Sequence, residues 1–467
     1  MVFASLLFIF LFLPANLVLY YLTKDKNYRN WILVVFSLFF YAWGEPVWII
    51  IMIISATVDY FNALAIERFR GTPWAKLGLI SSVVINLGLL FLFKYSGFLY
   101  ENINLVFGLN LDIPSFTLPI GISFYTFQTI SYVIDVYRGE VQAQKSYMKF
   151  TMFVSLYHQL VAGPIVRYSH IAHEIDNRVF DINDISEGII RFCFGLFKKV
   201  FFANVAGQLV AQYLDSDMET LSVSAGWFGM LMFSLQIYFD FSGYSDMAIG
   251  LGKMYGFHYH ENFNYPYMAR SATDFWRRWH ISLGSFLRDY VYIPLGGNRK
   301  HQLLNIMLVW FLTGFWHGAN WNFIFWGLYF GLLVGIEKLF LYKLLERLPK
   351  FIGHFYLLFA AFFGWILFYF TDLKKLSHFI RLLFGNTKNT VGDFELELVI
   401  KNHIFWLFFA LVCCTPVYPF VKTLLKKYTN DDLKVQWFFV SLSLIALAIS
   451  TALLVGKSYN PFLYFRF

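Results

Sequence analysis

Two histidines lie in strongly apolar parts of the sequence. His317 lies in the stretch LTGFWHGANWNFIFWG, and His280 lies in DFWRRWHISLG. The imidazole has an ordinary pKa of about 6.5, so it can take or give a proton near neutral pH. Ionisable groups in membrane segments are costly and are therefore candidates for function. The alternative for both residues is a histidine that only packs and hydrogen-bonds within the protein.

One reaction that such histidines could support is acyl transfer from a thioester to a hydroxyl. It needs a base for the hydroxyl proton, worth about 10² to 10⁴ in rate, and hydrogen-bond donors for the developing oxyanion. We expect His317 to be the base, with Asn320 one helical turn further on. The indoles of Trp316 and Trp321 are candidate donors beside it. His280 is a candidate second acid–base group, or a group that orients the acyl donor.

Two further apolar stretches contain ionisable residues. QIYFDFSGYSDMAIG contains Asp240 and Asp246, and YHQLVAGPIVRYSH contains His158 and Arg167. All four are candidate supporting residues of the site by the same argument. The alternative for the two aspartates is structural, because each could pair with an arginine or cap a broken helix.

The sequence offers little for a metal site or a disulfide framework. His258 and His260 form a close pair, but a zinc site needs three or four ligands, and no cysteine or acidic cluster completes it. Cys193 is isolated, whereas Cys413 and Cys414 are adjacent in an apolar run. Cysteines in such surroundings commonly behave as small buried hydrophobic residues. We therefore expect no metal and no bound cofactor.

The composition indicates a helical membrane protein. The 467 residues are 58% hydrophobic and 22% aromatic but only 14% charged, whereas soluble domains have about 25% charged residues. Apolar runs of about 20 residues recur along the chain, and each could cross a hydrocarbon core of about 30 Å. We expect an all-α polytopic membrane protein with a single integral membrane domain, residues 1–467.

Candidate spans follow from the length of the apolar runs. The first run has no basic residue before it, so we expect a retained span rather than a secretory signal. The Gly44-Glu45-Pro46 turn and the polar 149–166 run predict interruptions, and the second is a candidate re-entrant segment. About 11–12 crossings are expected from the segments 2–22, 31–43, 47–65, 77–98, 116–137, 149–166, 187–212, 222–250, 303–317, 320–342, 351–371, 403–421 and 436–456.

The basic residues are unevenly distributed. They cluster within 24–29, 68–76 and 138–149, whereas 30–67 and 95–137 contain no lysine or arginine. The positive-inside rule puts these clusters in the cytoplasm and the amino terminus outside. The net charge of +8 fits basic cytoplasmic loops, and no concentrated basic face indicates binding of nucleic acid.

The segment 254–300 is too polar for a plain span and too aromatic for a solvated loop. Its aromatic and basic residues recur three to four positions apart, which is typical of an interfacial helix. Thr273 and Asp274 predict the start of that helix. The residues of the pattern are Trp276, Trp279, Phe286, Tyr290, Arg277, Arg278, Arg288 and Asp289.

Long blocks of the sequence resemble the membrane-bound O-acyltransferase (MBOAT) family. Their order and spacing match over roughly residues 30–340, and the tail SYNPFLYFRF also resembles the family. The sequence is most similar to the bacterial branch that O-acetylates alginate and peptidoglycan. The blocks are LPIGISFYTFQTISYVIDVYRG, LVAGPIVRY, QIYFDFSGYSDMAIGLGKMYGF, ENFNYPYMARSATDFWRRWHISLGSFLRDYVYIPLGGNR and LTGFWHGANWNFIFWGLYFG.

The resemblance implies a fold and roles for the two histidines. The fold is a ring of tilted helices around short and re-entrant helices that form a central funnel, with C-terminal helices added from residue 341. His317, in the WHG-type motif, corresponds to the catalytic residue of the family. His280, in the RRWHISL block, corresponds to a second important position.

The resemblance also implies a reaction across the bacterial cytoplasmic (inner) membrane. The acyl donor is a cytoplasmic thioester, expected to be acetyl-CoA, and the acceptor is an extracytoplasmic polysaccharide served by an extracytoplasmic partner transferase. A basic surface that includes Arg277, Arg278 and Arg288 would suit a phosphate-bearing donor. Tyr464, in PFLYFRF, is a candidate acyl relay because tyrosine can act as a covalent nucleophile. The alternative for Tyr464 is an aromatic membrane anchor.

Three other functions stay open at this point. One is transfer of D-alanine or another acyl group from an acyl carrier protein to a cell-wall polymer. Another is a transporter that catalyses no reaction. Such proteins commonly have interrupted spans at corresponding positions of two sequence halves, and this sequence lacks that internal symmetry. The third is a lipid acyltransferase of the eukaryotic kind.

Overall fold

The computed structural model describes residues 1–161, 163–456 and 462–463. These residues form α-helices joined by loops and short turns, and none of them lies in a β-strand. The prediction of an all-α membrane protein is therefore confirmed. The chain divides into two compact units. The first contains residues 1–192, 244–260 and the described residues after 453, and the second contains 193–243 and 261–453.

The first unit begins with a π-helical turn at Phe8–Phe12. Asp25 accepts a hydrogen bond of 2.7 Å from the Tyr28 N–H and so begins the second helix. The helices that start in this unit are α1 (Leu13–Tyr21), α2 (Lys26–Gly44), α3 (Ile49–Arg68), α4 (Pro73–Phe107), α5 (Ile122–Arg138), α6 (Tyr147–Ser155), α7 (Tyr157–Leu160), α8 (Tyr168–Asp176) and α9 (Ile182–Phe197).

The remaining helices start in the second unit. They are α10 (Asn204–Leu214), α11 (Val223–Met254), α12 (Ala272–Trp276), α13 (Ile281–Leu287), α14 (Gln302–His317), α15 (Trp321–Ile336), α16 (Tyr342–Arg347), α17 (Lys350–Tyr369), α18 (Leu373–Leu383), α19 (Phe394–Cys413), α20 (Val417–Thr429) and α21 (Asp432–Leu454). A 3₁₀ turn lies at Pro266–Met268, and π-helical turns lie at Lys198–Ala203, Arg288–Tyr292 and Glu337–Leu341.

Six helical segments in the described residues are long and apolar enough to cross a membrane. They are Ile49–Arg68, Pro73–Phe107, Trp321–Arg347, Lys350–Tyr369, Phe394–Cys413 and Asp432–Leu454. The protein is thus a multi-pass membrane protein. Some of the apolar runs form shorter or broken helices, and the expectation of about 11–12 crossings stays a prediction. The 149–166 run, for example, contains the separate helices α6 and α7.

Two predictions about where helices begin and end can be compared directly with the structure. The turn at Gly44-Glu45-Pro46 is confirmed, since α2 ends at Gly44 and α3 begins at Ile49. The single interfacial helix expected from Thr273 onward is wrong, because α12 and α13 are separate short helices. The break lies at His280, whose φ of 47° is in the left-handed region and cannot continue a right-handed helix.

The helices α14 and α15 form a tight hairpin. A Cβ atom at Gly314 would lie 2.2 Å from the carbonyl oxygen of Phe323, and one at Gly327 would lie 2.3 Å from that of Trp310. Only glycine fits at either position. The two backbones can therefore approach closely, as small residues allow in membrane helix pairs.

Candidate active site

His317 is the last residue of α14 and is buried. The helix ends there because Gly318 adopts an extended backbone. A Cβ atom at Gly318 would lie 2.2 Å from the Phe323 ring, so the chain turns directly into α15 only with glycine at this position. The sequence WHG therefore places the imidazole at a helix break, between α14 and α15.

Three aromatic rings surround the His317 imidazole. The Trp326 ring of α15 lies 4.8 Å from it at an interplanar angle of 81°. The Phe368 ring of α17 lies 5.4 Å away, also at 81°, and the neighbouring Trp316 ring lies 4.9 Å away. Three helices thus fix the position of the imidazole. Apolar rings keep the surroundings poor in water, which strengthens electrostatic interactions with a reacting group.

His280 precedes α13 and is 2% exposed. Its ring packs edge-on against Phe241 at 4.7 Å. The Nδ1 atom lies 3.2 Å from Oδ1 of Asn262, whereas Nε2 is buried and has no hydrogen-bond partner among the described residues. Burial lowers the pKa of His280 below its ordinary value, so the neutral imidazole is favoured at physiological pH.

The two histidines meet at one tryptophan. The Trp316 ring lies 6.1 Å from the His280 ring and 4.9 Å from the His317 ring. All three side chains are buried and belong to the second unit. The structure therefore brings together the two histidines that the sequence singled out.

The helix that leads to His280 is anchored by a buried carboxylate. Glu337 is 1% exposed and accepts hydrogen bonds from the N–H groups of Ala272 (2.6 Å) and Thr273 (2.8 Å). The Tyr356 hydroxyl donates a third bond to Glu337 at 3.0 Å. A carboxylate at a helix N-terminus satisfies free N–H groups and interacts favourably with the helix dipole. It fixes α12 to the π-helical turn that follows α15.

A cluster of indoles extends from His317. Trp276 lies 5.4 Å from Trp326 and 4.9 Å from Trp310. The indole nitrogens of Trp276 and Trp326 are buried without an acceptor among the described residues. A buried N–H donor that no protein group satisfies is costly, so these indoles are suited to bind a polar atom of a ligand. Trp326 lies directly against His317, and the sequence analysis did not select it.

Two predicted neighbours of His317 lie elsewhere. Asn320 is exposed and lies in the break before α15, so it does not follow His317 on the same helix. Trp321 is 45% exposed and stacks on Phe325 at 6.1 Å. The prediction of one continuous turn from His317 to Asn320 is wrong, because α14 ends at His317. Trp326, one and a half turns into α15, occupies the place that we expected Trp321 to take.

The predicted basic residues lie at the surface of the second unit. Arg277 is exposed, and Arg278 pairs with Asp274 at 2.9 Å. Arg288 is 62% exposed in its side chain and pairs with Asp289 at 2.7 Å, which raises its pKa. The role of these arginines in donor binding stays a prediction.

The two aspartates each form an ion pair. Asp240 pairs with Lys199 in the second unit, and both side chains are buried. Asp246 pairs with Arg191 in the first unit, at 2.8 Å and 3.0 Å from two guanidinium nitrogens. The structural alternative fits both contacts, since a buried charge is tolerated when it is paired.

The remaining candidates belong to the first unit or lie outside the described residues. His158 is fully buried, and its Nδ1 lies 2.6 Å from the hydroxyl of Tyr259. Arg167 is half-buried and precedes α8. Tyr464, the candidate acyl relay, lies outside the described residues.

The histidine pair at 258 and 260 does not form one cluster. His258 contacts Glu174 at 2.7 Å and Asp184 at 3.2 Å, whereas the ring of His260 packs against His170 at 4.3 Å. No group of three or more residues suited to a metal is present in the described part of the chain. Cys193 and Cys414 are buried, and Cys413 is half-buried.

Comparison with known proteins identifies the class of the chain. Residues 140–376 match the model of the MBOAT, membrane-bound O-acyltransferase family. The chain belongs to this family and is an acyltransferase, which confirms the resemblance seen in the sequence.

Its relatives include enzymes named for polysaccharide acetylation. The chain is 37% identical to a "Probable alginate O-acetylase" of Pseudomonas putida over the whole of both chains. It is 36% identical to the "Peptidoglycan O-acetyltransferase" of Helicobacter pylori, over 72% of this chain and 70% of that protein. It is 25% identical to the "Teichoic acid D-alanyltransferase" of Bacillus subtilis, over 47% of this chain and 59% of that protein.

Proposed function

We propose that the protein transfers an acetyl group from a cytoplasmic thioester, acetyl-CoA, toward a polysaccharide outside the bacterial cytoplasmic membrane. One observation carries this proposal. Two buried histidines meet at Trp316, in a chain whose full-length relative is named as an O-acetylase. The acceptor is a glycan hydroxyl, in alginate, peptidoglycan or another cell-surface polymer.

In the proposed reaction, His317 takes the proton of the acceptor hydroxyl. The hydroxyl oxygen attacks the thioester carbonyl, the carbon–sulfur bond breaks, and the released thiolate receives the proton from His317. The buried indole N–H of Trp326 supports the oxyanion that forms on the carbonyl oxygen. His280 holds the acyl donor through its Nε2 atom.

The relation to the membrane is the second part of the proposal. The uneven distribution of basic residues supports an extracytoplasmic amino terminus. The donor then enters from the cytoplasm, where Arg277 and Arg288 attract its phosphates. In a relay, the Tyr464 hydroxyl is the first acceptor in this reaction and forms an acetyl ester. A hydroxyl of the extracytoplasmic partner transferase then attacks that ester, and the Tyr464 oxygen leaves with the proton of the attacking hydroxyl. The partner completes the acetylation of the polymer.

The test uses the purified chain in lipid vesicles, with acetyl-CoA labelled in its acetyl group. We expect acetyl transfer to the protein, to a supplied acceptor or to water in the wild type, and its loss in His317→Ala. His173→Ala is the matched control, because His173 is exposed on α8 in the first unit. Equal turnover in wild type and His317→Ala, at equal folded yield, would refute the role of His317.

The Bacillus relative supports one alternative, which is transfer of D-alanine from a carrier protein. Vesicles supplied with a D-alanyl carrier protein in place of acetyl-CoA separate the two functions. Turnover with the carrier protein and none with acetyl-CoA would favour the alternative. Intact-mass measurement of the trapped reaction tests Tyr464, since the relay predicts an acetyl group on that residue and Tyr464→Phe removes it.

A further inference from the structure

The loop that contains Asn262 runs beside the backbone of His280. The N–H of Ile281 donates to the carbonyl of Asn262 at 3.0 Å, and the N–H of Asn264 donates to the carbonyl of Arg278 at 2.9 Å. These bonds lie on either side of His280 and support its left-handed backbone, with φ of 47°. A residue other than glycine adopts such a conformation at an energetic cost and keeps it only where its surroundings impose it.

The side chain of Asn262 also faces His280. Its Oδ1 atom accepts hydrogen bonds from the backbone N–H of Ser282 at 3.2 Å and from the Ser282 hydroxyl at 2.8 Å. The same atom lies 3.2 Å from Nδ1 of His280. Asn262 is fully buried and His280 is 2% exposed, so bulk water does not compete for these contacts.

The backbone N–H of Ser282 decides the orientation of the amide. A backbone N–H only donates, so the atom of Asn262 that faces it is the oxygen and not the nitrogen. The Ser282 hydroxyl also lies 3.4 Å from Nδ1, but it donates to the nearer Asn262 oxygen at 2.8 Å. The Asn262 oxygen can only accept, so its contact with Nδ1 of a neutral His280 at 3.2 Å requires the proton on Nδ1. Nε2 then holds the lone pair, and it is buried without a partner among the described residues.

We propose that Asn262 is a positioning residue that fixes His280 as the Nδ1–H tautomer, so that Nε2 accepts a hydrogen bond from the substrate. Nε2 of neutral His280 is then a hydrogen-bond acceptor and cannot donate to the oxyanion that forms on the thioester carbonyl. Other groups must therefore stabilise that oxyanion. The rings that pack against it, Phe241 and Trp316, do not titrate. The substrate contact rests on the proposed acyl transfer, whereas the tautomer does not.

The tautomer can be measured without any activity. The full chain is labelled with ¹⁵N-histidine in lipid nanodiscs, and the signals of His280 are assigned by their loss in His280→Gln. We expect Nδ1 to show a protonated nitrogen and Nε2 an unprotonated one. An unprotonated Nδ1 with a protonated Nε2 in the wild type would overturn the proposal, whatever the enzyme's reaction proves to be.

Kinetics test the consequence for the reaction. Asn262→Leu removes the acceptor, so we expect kcat/KM to fall about 10-fold to 100-fold. Asn264→Leu is the matched control, since Asn264 is exposed in the same loop, and it should keep wild-type activity. Asn262→Asp keeps the acceptor but adds a charge that raises the pKa of His280.

The aspartate variant separates positioning from a merely structural role. It should be active at high pH, and its activity should disappear on acidification at a higher pH than in the wild type, because protonated Nε2 no longer accepts. A pH profile of Asn262→Asp identical to that of the wild type would contradict the proposal. If the wild type transfers no acetyl group, the proposed function fails, and the nitrogen signals still decide the tautomer.

Discussion

The ring of Trp326 stands almost perpendicular to that of His317, at 81°, with the centroids 4.8 Å apart. The contact joins the end of α14 to the middle of α15, across the helix break at Gly318. The Trp326 indole N–H is buried and has no acceptor among the described residues. A donor in this position can support negative charge that develops beside the histidine.

The first prediction concerns this indole. Trp326→Phe keeps an aromatic ring but removes the N–H, so we expect kcat to fall about 100-fold with little change in KM. Trp310→Phe is the control, because Trp310 belongs to the same cluster and lies 6.2 Å from Trp326. Steady-state kinetics of both variants in vesicles provide the measurement. Equal activities of the two variants would show that the Trp326 N–H takes no part in the reaction.

The second prediction concerns the glycine after His317. In Gly318→Ala the new methyl group would meet the Phe323 ring at 2.2 Å, so α14 and α15 must separate. Overpacking of this kind costs about 1–3 kcal/mol, and it also displaces His317. We expect a lower unfolding temperature and loss of acetyl transfer. Gly88→Ala, which has open space around the added Cβ atom, should change neither quantity.

The third prediction concerns the buried ion pair of Lys199 and Asp240. Asp240→Leu alone leaves a buried ammonium without its partner, which costs about 3–5 kcal/mol. The double variant with Lys199→Met removes both charges and should recover most of that loss. Thermal unfolding in detergent measures the stability of the wild type and of both variants. A double variant that is stable but inactive would contradict a structural role and place Asp240 in the reaction.

The fourth prediction concerns His258 in the first unit. Partial burial opposes protonation, but the hydrogen bonds that the His258 ring donates to Glu174 and Asp184 outweigh it and raise the pKa of His258. A raised pKa means that the stabilisation is complete below the ordinary pKa of about 6.5 and disappears as the pH rises through the folded-state value.

His258→Gln should therefore lower the unfolding temperature slightly at about pH 5.5 and leave it unchanged at about pH 8.5. The effect is small, at most about 1 kcal/mol, because the pair is half-exposed. A loss of stability that is larger at the higher pH would contradict this sign. Acetyl transfer at either pH serves as the control for folding.

The sequence indicated the two histidines because an ionisable side chain is conspicuous in an apolar stretch. His317 and His280 do lie on either side of Trp316. Their neighbours were harder to predict, since the break at Gly318 changes which side of α15 faces the imidazole. Trp326 replaces Trp321 for this reason.

Asn262 could not be selected from spacing. Its contact with His280 joins residues 18 positions apart through a loop, and no helical or strand period relates them. The helical class and the turn at Gly44 were predictable because apolar run length and glycine–proline pairs act locally. The break of α12 and α13 depends on hydrogen bonds with the Asn262 loop, which a pattern within 271–290 does not contain.

The claim that the two histidines act in one site is tested most directly by a double-mutant cycle. The release of CoA from acetyl-CoA is measured for His317→Ala, His280→Ala and the double variant in vesicles. We predict that each single change lowers kcat/KM by about 100-fold or more. The double variant should be no slower than the slower single variant, because residues that act as a unit are not additive. Losses that multiply in the double variant would show that the two histidines act independently and would contradict a single site at Trp316.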